Sequence, residues 1–139
     1  MEKYILDIKN LSIFFKTEKE PLKIVSDLSF DIKEAEVFGI VGESGCGKSL
    51  TALSILDILP QNAYATGNIF FKGKNLLDLS EEDIRKIRGK DISIIFQEPM
   101  TSLNPVMKIG YQIAEALTAH FDISKKEALN RAIELLKLV

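Results

Sequence analysis

The sequence predicts an α/β fold from three observations. Short runs rich in β-forming residues dominate the first third of the 139 residues. Stretches with a helical period of apolar residues follow them. Four of the eight glycines lie between Gly39 and Gly47, directly after an apolar run, so special backbone geometry is concentrated in one place. These features together indicate strands, a glycine-rich loop and then helices.

Composition places the chain among ordinary globular proteins. A hydrophobic fraction of 46% excludes a disordered chain. Eighteen basic against 20 acidic residues give a net charge of −2, so no basic excess indicates a nucleic-acid-binding surface. The single cysteine, Cys46, cannot form an internal disulfide, which favours a reducing compartment. No apolar stretch reaches the roughly 20 residues that span a bilayer, so we expect no direct membrane insertion.

Six strands are expected, and two of them have a buried character. Strands are predicted at residues 4–8, 11–15 and 24–32, with a polar turn at 16–21. The apolar runs 36–41 and 91–96 have the length and composition of strands covered on both faces. Residues 68–71 are the remaining candidate, following a turn at Thr66-Gly67.

Helical patterns alternate with these runs. A helix over 48–59 is predicted to stop at Pro60, and Ser80 is predicted to cap a short charged helix that ends near Gly89. Two prolines predict a loop over residues 98–106. A helix is expected over residues 107–120, with His120 at its end. Ser124 and Glu127 form a capping box for the last helix. The expected apolar positions are Leu50, Leu53, Ile55, Leu56 and Leu59 in the first helix, and Leu129, Ala132, Ile133, Leu136 and Val139 in the last.

The glycine-rich segment carries the chemistry. It matches the phosphate-loop pattern G-x-x-x-x-G-K-[ST] at every fixed position. Its backbone N–H groups are expected to cradle phosphates above a helix N-terminus. Lys48 can bridge the outer phosphates, and the Ser49 hydroxyl can hold Mg²⁺. For Cys46 we expect the backbone N–H to matter most, with a thiol that reacts with alkylating reagents. The residues that match the phosphate-loop pattern are Gly42, Glu43, Ser44, Gly45, Cys46, Gly47, Lys48 and Ser49.

A hydrolase with such a loop also needs a carboxylate at the end of a neighbouring buried strand. The later apolar run, residues 92–96, is followed by the amide side chain of Gln97 and not by an aspartate. The Gln97 carbonyl can ligate Mg²⁺ and position a water, although it cannot act as a base. Glu98 precedes Pro99 and lies one residue beyond the strand end. Its use as the base leaves open a small autonomous P-loop kinase or NTPase.

Three strings together resemble a known family: GESGCGKS, LTALSILDILP and ISIIFQEPMTSLNPVMKIGYQIAEAL. They are similar to the ATP-binding subunits of ABC transporters, and within that family to the branch that imports oligopeptides, dipeptides and nickel. The resemblance covers essentially the whole chain, but only the first part of the family's domain. It implies an ABC-type P-loop core with an N-terminal antiparallel β subdomain in residues 1–97. Residues 98–139 would be the Q-loop and the start of an α-helical subdomain.

The resemblance also implies roles for single residues, with ATP and Mg²⁺ as the ligands. Gln97 would be the Q-loop glutamine, which contacts Mg²⁺ and the attacking water and senses the γ-phosphate. Phe15 stands where the family places its adenine-stacking aromatic residue, although Phe15 as strand core, with the strand shifted by one onto Phe14, stays open. Leu50 stands where many members carry Thr, so its contact with the phosphates would come from its backbone N–H. Ala35 stands where the family commonly has Gly.

Partners and activity follow from the same resemblance. Residues 98–110 would face transmembrane permease subunits, a second ATP-binding subunit would complete a dimer, and the protein would sit peripherally on the cytoplasmic face of the membrane. After residue 97 the chain has no L-S-G-G-Q signature, no strand ending in Asp-Glu and no switch histidine. We therefore expect it to bind ATP and to hydrolyse it poorly alone, with a non-catalytic nucleotide-binding module as a further alternative. Its last helix ends on apolar residues, which favours a truncated protein over a terminal helix packed on the core.

Overall fold

The computed structural model describes residues 4–97 and 103–139. The chain packs as two compact units, Met1–Arg85 and Lys86–Val139. The first unit holds the predicted phosphate loop, and the second holds Gln97 and the C-terminal helices. We describe each unit by itself.

An antiparallel sheet organises the first unit. Among the described residues, strands β1 (Tyr4–Phe15), β2 (Leu22–Lys33), β3 (Ala63–Phe71) and β4 (Lys74–Asn75) pair in the order β2-β1-β3-β4. The predicted N-terminal antiparallel sheet is therefore confirmed. Its core is apolar and comes mainly from alternate positions of the three long strands, because successive side chains of a strand point to opposite faces. The buried residues of the unit include Leu6, Ile8, Leu11, Ile13, Val25, Ile69 and Phe71.

β1 is one strand, and the prediction of two separate strands at 4–8 and 11–15 was wrong. Asn10 adopts a left-handed conformation with φ of 50°, and the pairing with β3 shifts register between Lys9 and Ser12. The Asn10 N–H leaves the ladder and donates to the Ser29 hydroxyl at 2.8 Å. A β-bulge thus interrupts the hydrophobic alternation without ending the strand.

The opposing strand explains why Gly67 is a glycine. Thr66 and Gly67 were expected to form a turn, but they lie inside β3, opposite the bulge. Gly67 has φ of +103°, and a Cβ there would clash with the carbonyl oxygen of Asn10. The turn signal was therefore a signal for a bulge and a close backbone approach.

Helix α1 (Lys48–Ile55) is shorter than the sequence pattern predicts. Asp57 has φ of 51°, and it ends the helix before Pro60 is reached. The Ile58 N–H donates to the Leu53 carbonyl at 3.1 Å and the Asp57 N–H to the Ser54 carbonyl at 3.2 Å. This is the Schellman arrangement, here with an aspartate at the left-handed position. Of the expected apolar positions, Leu56 is buried as predicted, just beyond the helix, whereas Leu50, Leu53, Ile55 and Leu59 are half-buried. The buried positions within α1 itself are Thr51 and Ser54.

The two runs predicted as buried strands form no strands. Residues 36–41 and 93–96 belong to no ladder within the described ranges, and Ile92 makes only an isolated bridge to Arg88. Val37, Val41 and Ile95 are each at least 96% exposed. Phe38 is better covered, because its ring stacks on Phe30 with 4.8 Å between ring centroids. A strand needs a paired neighbour for its N–H and C=O groups, and the part of the chain that the structure describes provides none for these runs.

The turn before residues 36–41 contains Ala35, which stands where the family commonly has Gly. This residue has φ of 61°, a left-handed conformation that costs an alanine about 1 kcal/mol or more. The Lys33 N–H donates to the Glu36 carboxylate at 2.7 Å, and the Glu36 N–H donates to the Lys33 carbonyl at 3.3 Å. These two hydrogen bonds close the turn that leads from β2 toward the phosphate loop.

Helix α2 (Glu81–Ile87) begins as predicted, with the Ser80 hydroxyl accepting from the Asp83 N–H at 3.2 Å. In the second unit, helices α3 (Ile109–His120) and α4 (Lys125–Lys137) pack through Ala114, Ala128 and Ala132. His120 ends α3, as predicted, and α3 starts two residues later than expected. In α4, Ala132 is buried as predicted, but Ile133 and Leu136 are exposed. No helix of the described residues is long and apolar enough to cross a bilayer.

Replacing Gly67 should test the bulge. We expect Gly67→Ala to lower the free energy of unfolding by about 3 kcal/mol, because it adds a clash to an unfavourable φ. Gly73→Ala is the matched control: Gly73 has φ of +81°, but a Cβ there meets nothing within 4 Å. The control should cost only about 1 kcal/mol. Urea denaturation of both variants measures the difference, and equal losses would contradict the clash.

The capping box of α4 gives a pH-dependent prediction. The Ser124 hydroxyl and backbone N–H both bond the Glu127 carboxylate and hold its pKa below the ordinary value. A lowered folded-state pKa means that this stabilisation is present above the unfolded pKa and lost as the pH falls through the folded pKa. We expect Glu127→Gln to flatten the acid limb of a plot of melting temperature against pH. Glu134→Gln, at an exposed acid later in the same helix, should change that limb less.

Candidate functional site

The predicted phosphate loop is shaped by two left-handed glycines. Gly45 has φ of +83° and Gly47 has φ of +96°, a region that side chains with a Cβ rarely adopt. Between them the Cys46 N–H donates to the Glu43 carbonyl at 3.4 Å. The loop thus turns back on itself directly before α1 begins.

Strand β2 of the sheet packs against the end of this loop at Gly47. A Cβ on Gly47 would lie 2.5 Å from Cγ2 of Val25 and 3.7 Å from Cγ2 of Ile24. Val25 is itself buried and pairs with Ile13 of β1. Gly47 is therefore a glycine for two reasons, its backbone conformation and the close approach of β2.

The start of α1 offers backbone donors to an anion. Gly47 is its N-cap and has no side-chain capping hydrogen bond, and the first turn contains no acidic residue. The N–H groups of the first turn of a helix have no acceptor inside the helix. Thr51 strengthens this turn, since its N–H and its hydroxyl both donate to the Gly47 carbonyl, at 2.8 and 3.0 Å. The first-turn donors Lys48, Ser49 and Leu50 and the positive end of the helix dipole together suit a phosphate group.

Lys48 binds the loop itself. Its Nζ donates to the Gly42 carbonyl at 2.8 Å and to the Glu43 carbonyl at 2.6 Å, and lies 3.6 Å from the Cys46 sulfur. The ammonium group is thereby held at the mouth of the loop. It can exchange these carbonyl acceptors for phosphate oxygens, which form stronger charge-assisted hydrogen bonds.

The remaining loop side chains leave the backbone accessible. Glu43, Ser44, Cys46 and Ser49 are all exposed, and Leu50 is half-buried. The Ser49 hydroxyl is a hard oxygen ligand of the kind that Mg²⁺ accepts. The loop therefore fits a phosphate group, with an oxygen ligand for Mg²⁺ beside it.

Phe15 lies at the end of β1, half-buried, opposite Leu22 of β2 and Ala63 of β3. Because side chains alternate along a strand, Phe15 shares a face with Ile13, which pairs with the residue that supports Gly47. Phe14 is on the other face, where its ring stacks on Tyr64 with 5.2 Å between centroids. Phe14 and Phe15 thus lie on opposite faces of β1, and adenine stacking by Phe15 stays a prediction, with Phe14 as the open alternative.

Gln97 lies in the second unit, where its side chain is exposed. Its approach to the phosphate loop, in the first unit, therefore stays a prediction. Glu98, the carboxylate of the alternative hypothesis, lies outside the described residues.

Sequence reasoning missed the residues that support the loop. Val25 was predicted only as one position of the strand over residues 24–32, and the pattern of that strand did not indicate a contact with Gly47. Thr51 did carry a signal, because a hydroxyl four residues after the N-cap can bond that residue's carbonyl. In the second unit, away from the phosphate loop's supports, Gln112 carried no signal either, although it makes three hydrogen bonds to the backbone before α3.

Comparison with known proteins decides the family. The family model described as ABC transporter matches residues 25–139. The chain belongs to the ABC transporter family. It is 50% identical over 137 residues to a probable peptide ABC transporter ATP-binding protein of Sinorhizobium fredii, covering 97% of this chain and 41% of that protein. It is 47% identical to the dipeptide transport ATP-binding protein of Lactococcus lactis, covering 99% of this chain and 40% of that protein. The chain thus spans about 40% of the length of these curated ABC relatives.

Solved structures agree on the ABC fold. A dimeric bacterial ABC transporter cassette superimposes with a TM-score of 0.78 at 26% identity, covering 95% of this chain and 56% of that one. The same cassette in a post-hydrolysis state, bound to ADP and Pi, gives a TM-score of 0.75 at 24% identity. The predicted ABC-type fold class is confirmed.

The lone cysteine provides a direct test of the site. We expect N-ethylmaleimide to label Cys46, which is exposed and is the chain's single cysteine. Mg-ATP should slow this labelling, because the thiol lies among the groups that would contact phosphate. Mass spectrometry after timed labelling measures the rate. The Cys46→Ser variant should bind nucleotide but take up no label, and labelling that is indifferent to saturating Mg-ATP would contradict the assignment.

Proposed function

We propose that the chain is the nucleotide-binding part of an ABC importer subunit that couples ATP to the uptake of peptides. The observation that carries this proposal is the phosphate loop, with Lys48 at its mouth and a helix without a side-chain cap behind it. Peptides are preferred to nickel or other metal chelates, because the relatives named above transport peptides and dipeptides.

The proposed division of labour uses residues of both units. The backbone N–H groups from Gly42 to Leu50 hold the phosphates, and Lys48 neutralises their charge. Mg²⁺, when bound, would neutralise further phosphate charge, held by the Ser49 hydroxyl and the Gln97 carbonyl. Phe15 stacks on adenine from the end of β1. Gln97 reports the state of the γ-phosphate to the membrane subunits.

The wider assembly belongs to the same proposal. The partners are transmembrane permease subunits, which face residues 98–110, and a second ATP-binding subunit, as in the dimeric cassette of similar fold. The protein then works peripherally at the cytoplasmic face of the membrane. In this division, residues 1–97 form the β subdomain and P-loop core, and residues 98–139 begin the helical subdomain.

We further propose that the 139-residue chain binds ATP and turns it over poorly by itself. Gln97 positions water but cannot take its proton, and general-base catalysis contributes about 10²–10⁴-fold to a rate. Nucleotide binding and turnover are therefore separable properties here.

Titration of the protein with Mg-ATP tests the proposal. We expect Lys48→Ala to weaken ATP binding at least about tenfold, since it removes charge-assisted hydrogen bonds to phosphate. Lys126→Ala, at an exposed lysine of α4, should leave binding unchanged. Phosphate release is followed in parallel. No Lys48-dependent ATP binding would refute the proposed function, and Lys48-dependent turnover at an enzymatic rate would instead support the autonomous NTPase.

A further inference from the structure

Two hydroxyl side chains are buried in α1, directly after the phosphate loop. Thr51 is 2% exposed and Ser54 is 1% exposed. The Thr51 hydroxyl donates to the Gly47 carbonyl at 3.0 Å, and the Ser54 hydroxyl donates to the Thr51 carbonyl at 2.8 Å. Burying a hydroxyl costs free energy unless it is hydrogen-bonded. Each of these hydroxyls therefore meets its need for a partner on the backbone of its own helix.

The bond from the Thr51 hydroxyl is not needed to complete the helix. The Gly47 carbonyl already accepts the Thr51 N–H at 2.8 Å, which is the first bond of the helical ladder. A valine has nearly the same shape, and it would fill the buried position without a hydroxyl to desolvate. Hydroxyls that bond back to the preceding turn slightly destabilise helices. The stability of α1 therefore gives no reason for a threonine at this position.

The extra bond acts on the peptide unit that joins Gly47 to Lys48. In a planar trans peptide the C=O and the N–H point in opposite directions, so the Lys48 N–H points out of the helix N-terminus, where it has no acceptor inside the helix. A hydrogen bond to the carbonyl polarises the whole amide, and such cooperativity strengthens the next bond in a chain by about 10–30%. The Thr51 hydroxyl therefore makes the Lys48 N–H a stronger donor.

We propose that Thr51 is a positioning residue whose buried hydroxyl orients and polarises the Gly47–Lys48 peptide, so that the Lys48 N–H binds a nucleotide phosphate more tightly. This proposal rests on the proposed function. Thr51 need not touch the nucleotide, because it acts through the peptide that it bonds. Its burial matters, since a hydrogen bond is electrostatically stronger in the protein interior than in water.

Three substitutions separate the hydroxyl from the shape of the side chain. Thr51→Val removes the hydroxyl and keeps the branched shape, whereas Thr51→Ser keeps the hydroxyl. Ser54→Ala is the matched control, because it removes a buried hydroxyl of the same helix whose acceptor, the Thr51 carbonyl, does not belong to the peptide at the helix start. All variants are made in the protein as its gene encodes it, and the melting temperature of each is measured.

The first readout is the NMR resonance of the Lys48 backbone nitrogen, recorded without nucleotide. A hydrogen bond to a carbonyl draws electron density from the nitrogen of the same amide. We therefore expect Thr51→Val to move this resonance upfield, with Thr51→Ser and Ser54→Ala close to the wild type. A resonance that Thr51→Val leaves in place, or that Ser54→Ala moves equally, would overturn the proposal whatever the affinity for ATP.

The second readout is the dissociation constant for Mg-ATP. In Thr51→Val we expect it to rise about two- to threefold, because a charge-assisted hydrogen bond is weakened but not lost. The melting temperature of this variant should stay near that of the wild type or above it. Thr51→Ser should bind as the wild type does. Ser54→Ala should lower the melting temperature and leave the affinity near the wild-type value.

The two readouts distinguish the alternatives. A merely structural role would lower the melting temperature of Thr51→Val and leave the affinity of the folded protein unchanged. If the wild type binds Mg-ATP and Thr51→Val binds it equally well, the proposal fails. If the wild type itself binds no nucleotide, the proposed function fails, and the Lys48 resonance alone decides whether Thr51 polarises the peptide.

Discussion

The approach of β2 to Gly47 is the constraint on which the site depends. Cγ2 of Val25 occupies the space that a side chain on Gly47 would need, and the left-handed φ of Gly47 turns the chain into α1 at that point. The packing of the sheet therefore sets where the helix starts and which way its first N–H groups point. A phosphate loop held only by its own hydrogen bonds would lose this orientation as the loop fluctuated. Here the aliphatic core beneath it, through Ile13 and Val25, fixes the position of the donors.

Local patterns predicted the segments whose partners lie nearby in the sequence. The turns of the phosphate loop, the cap at Ser80 and the capping box at Ser124 all depend on residues a short distance away. The errors arose where the partner is distant. Thr66-Gly67 looked like a turn because no local pattern shows that Asn10 approaches it across the sheet. Periodicity likewise marked residues 36–41 and 91–96 as strands to be covered, but it cannot say which segment pairs with them or whether that segment lies within these 139 residues.

Polar side chains that act on backbone were the least predictable. The side chains of Thr51 and Gln112 each bond backbone groups, at the start of α1 and before α3. Neither belongs to a motif of the phosphate loop, and a glutamine in a helical pattern usually indicates only a solvated face. What distinguishes them is the carbonyl or N–H that they meet, and this is a property of the fold. The candidate site was therefore predictable in its loop and unpredictable in its supports.

Lys48 shows how the loop can be ordered and still receive a ligand. Its ammonium group bonds the carbonyls of Gly42 and Glu43, so its charge is partly satisfied within the loop. Neutral carbonyl acceptors are weaker than phosphate oxygens, so the exchange favours the ligand. The free energy of binding is then the difference between two sets of hydrogen bonds, and little of it is spent on ordering the loop. Because Lys48 leads α1, the exchange takes place directly beside the first-turn N–H groups, which is where Gly47 and Val25 have already placed them.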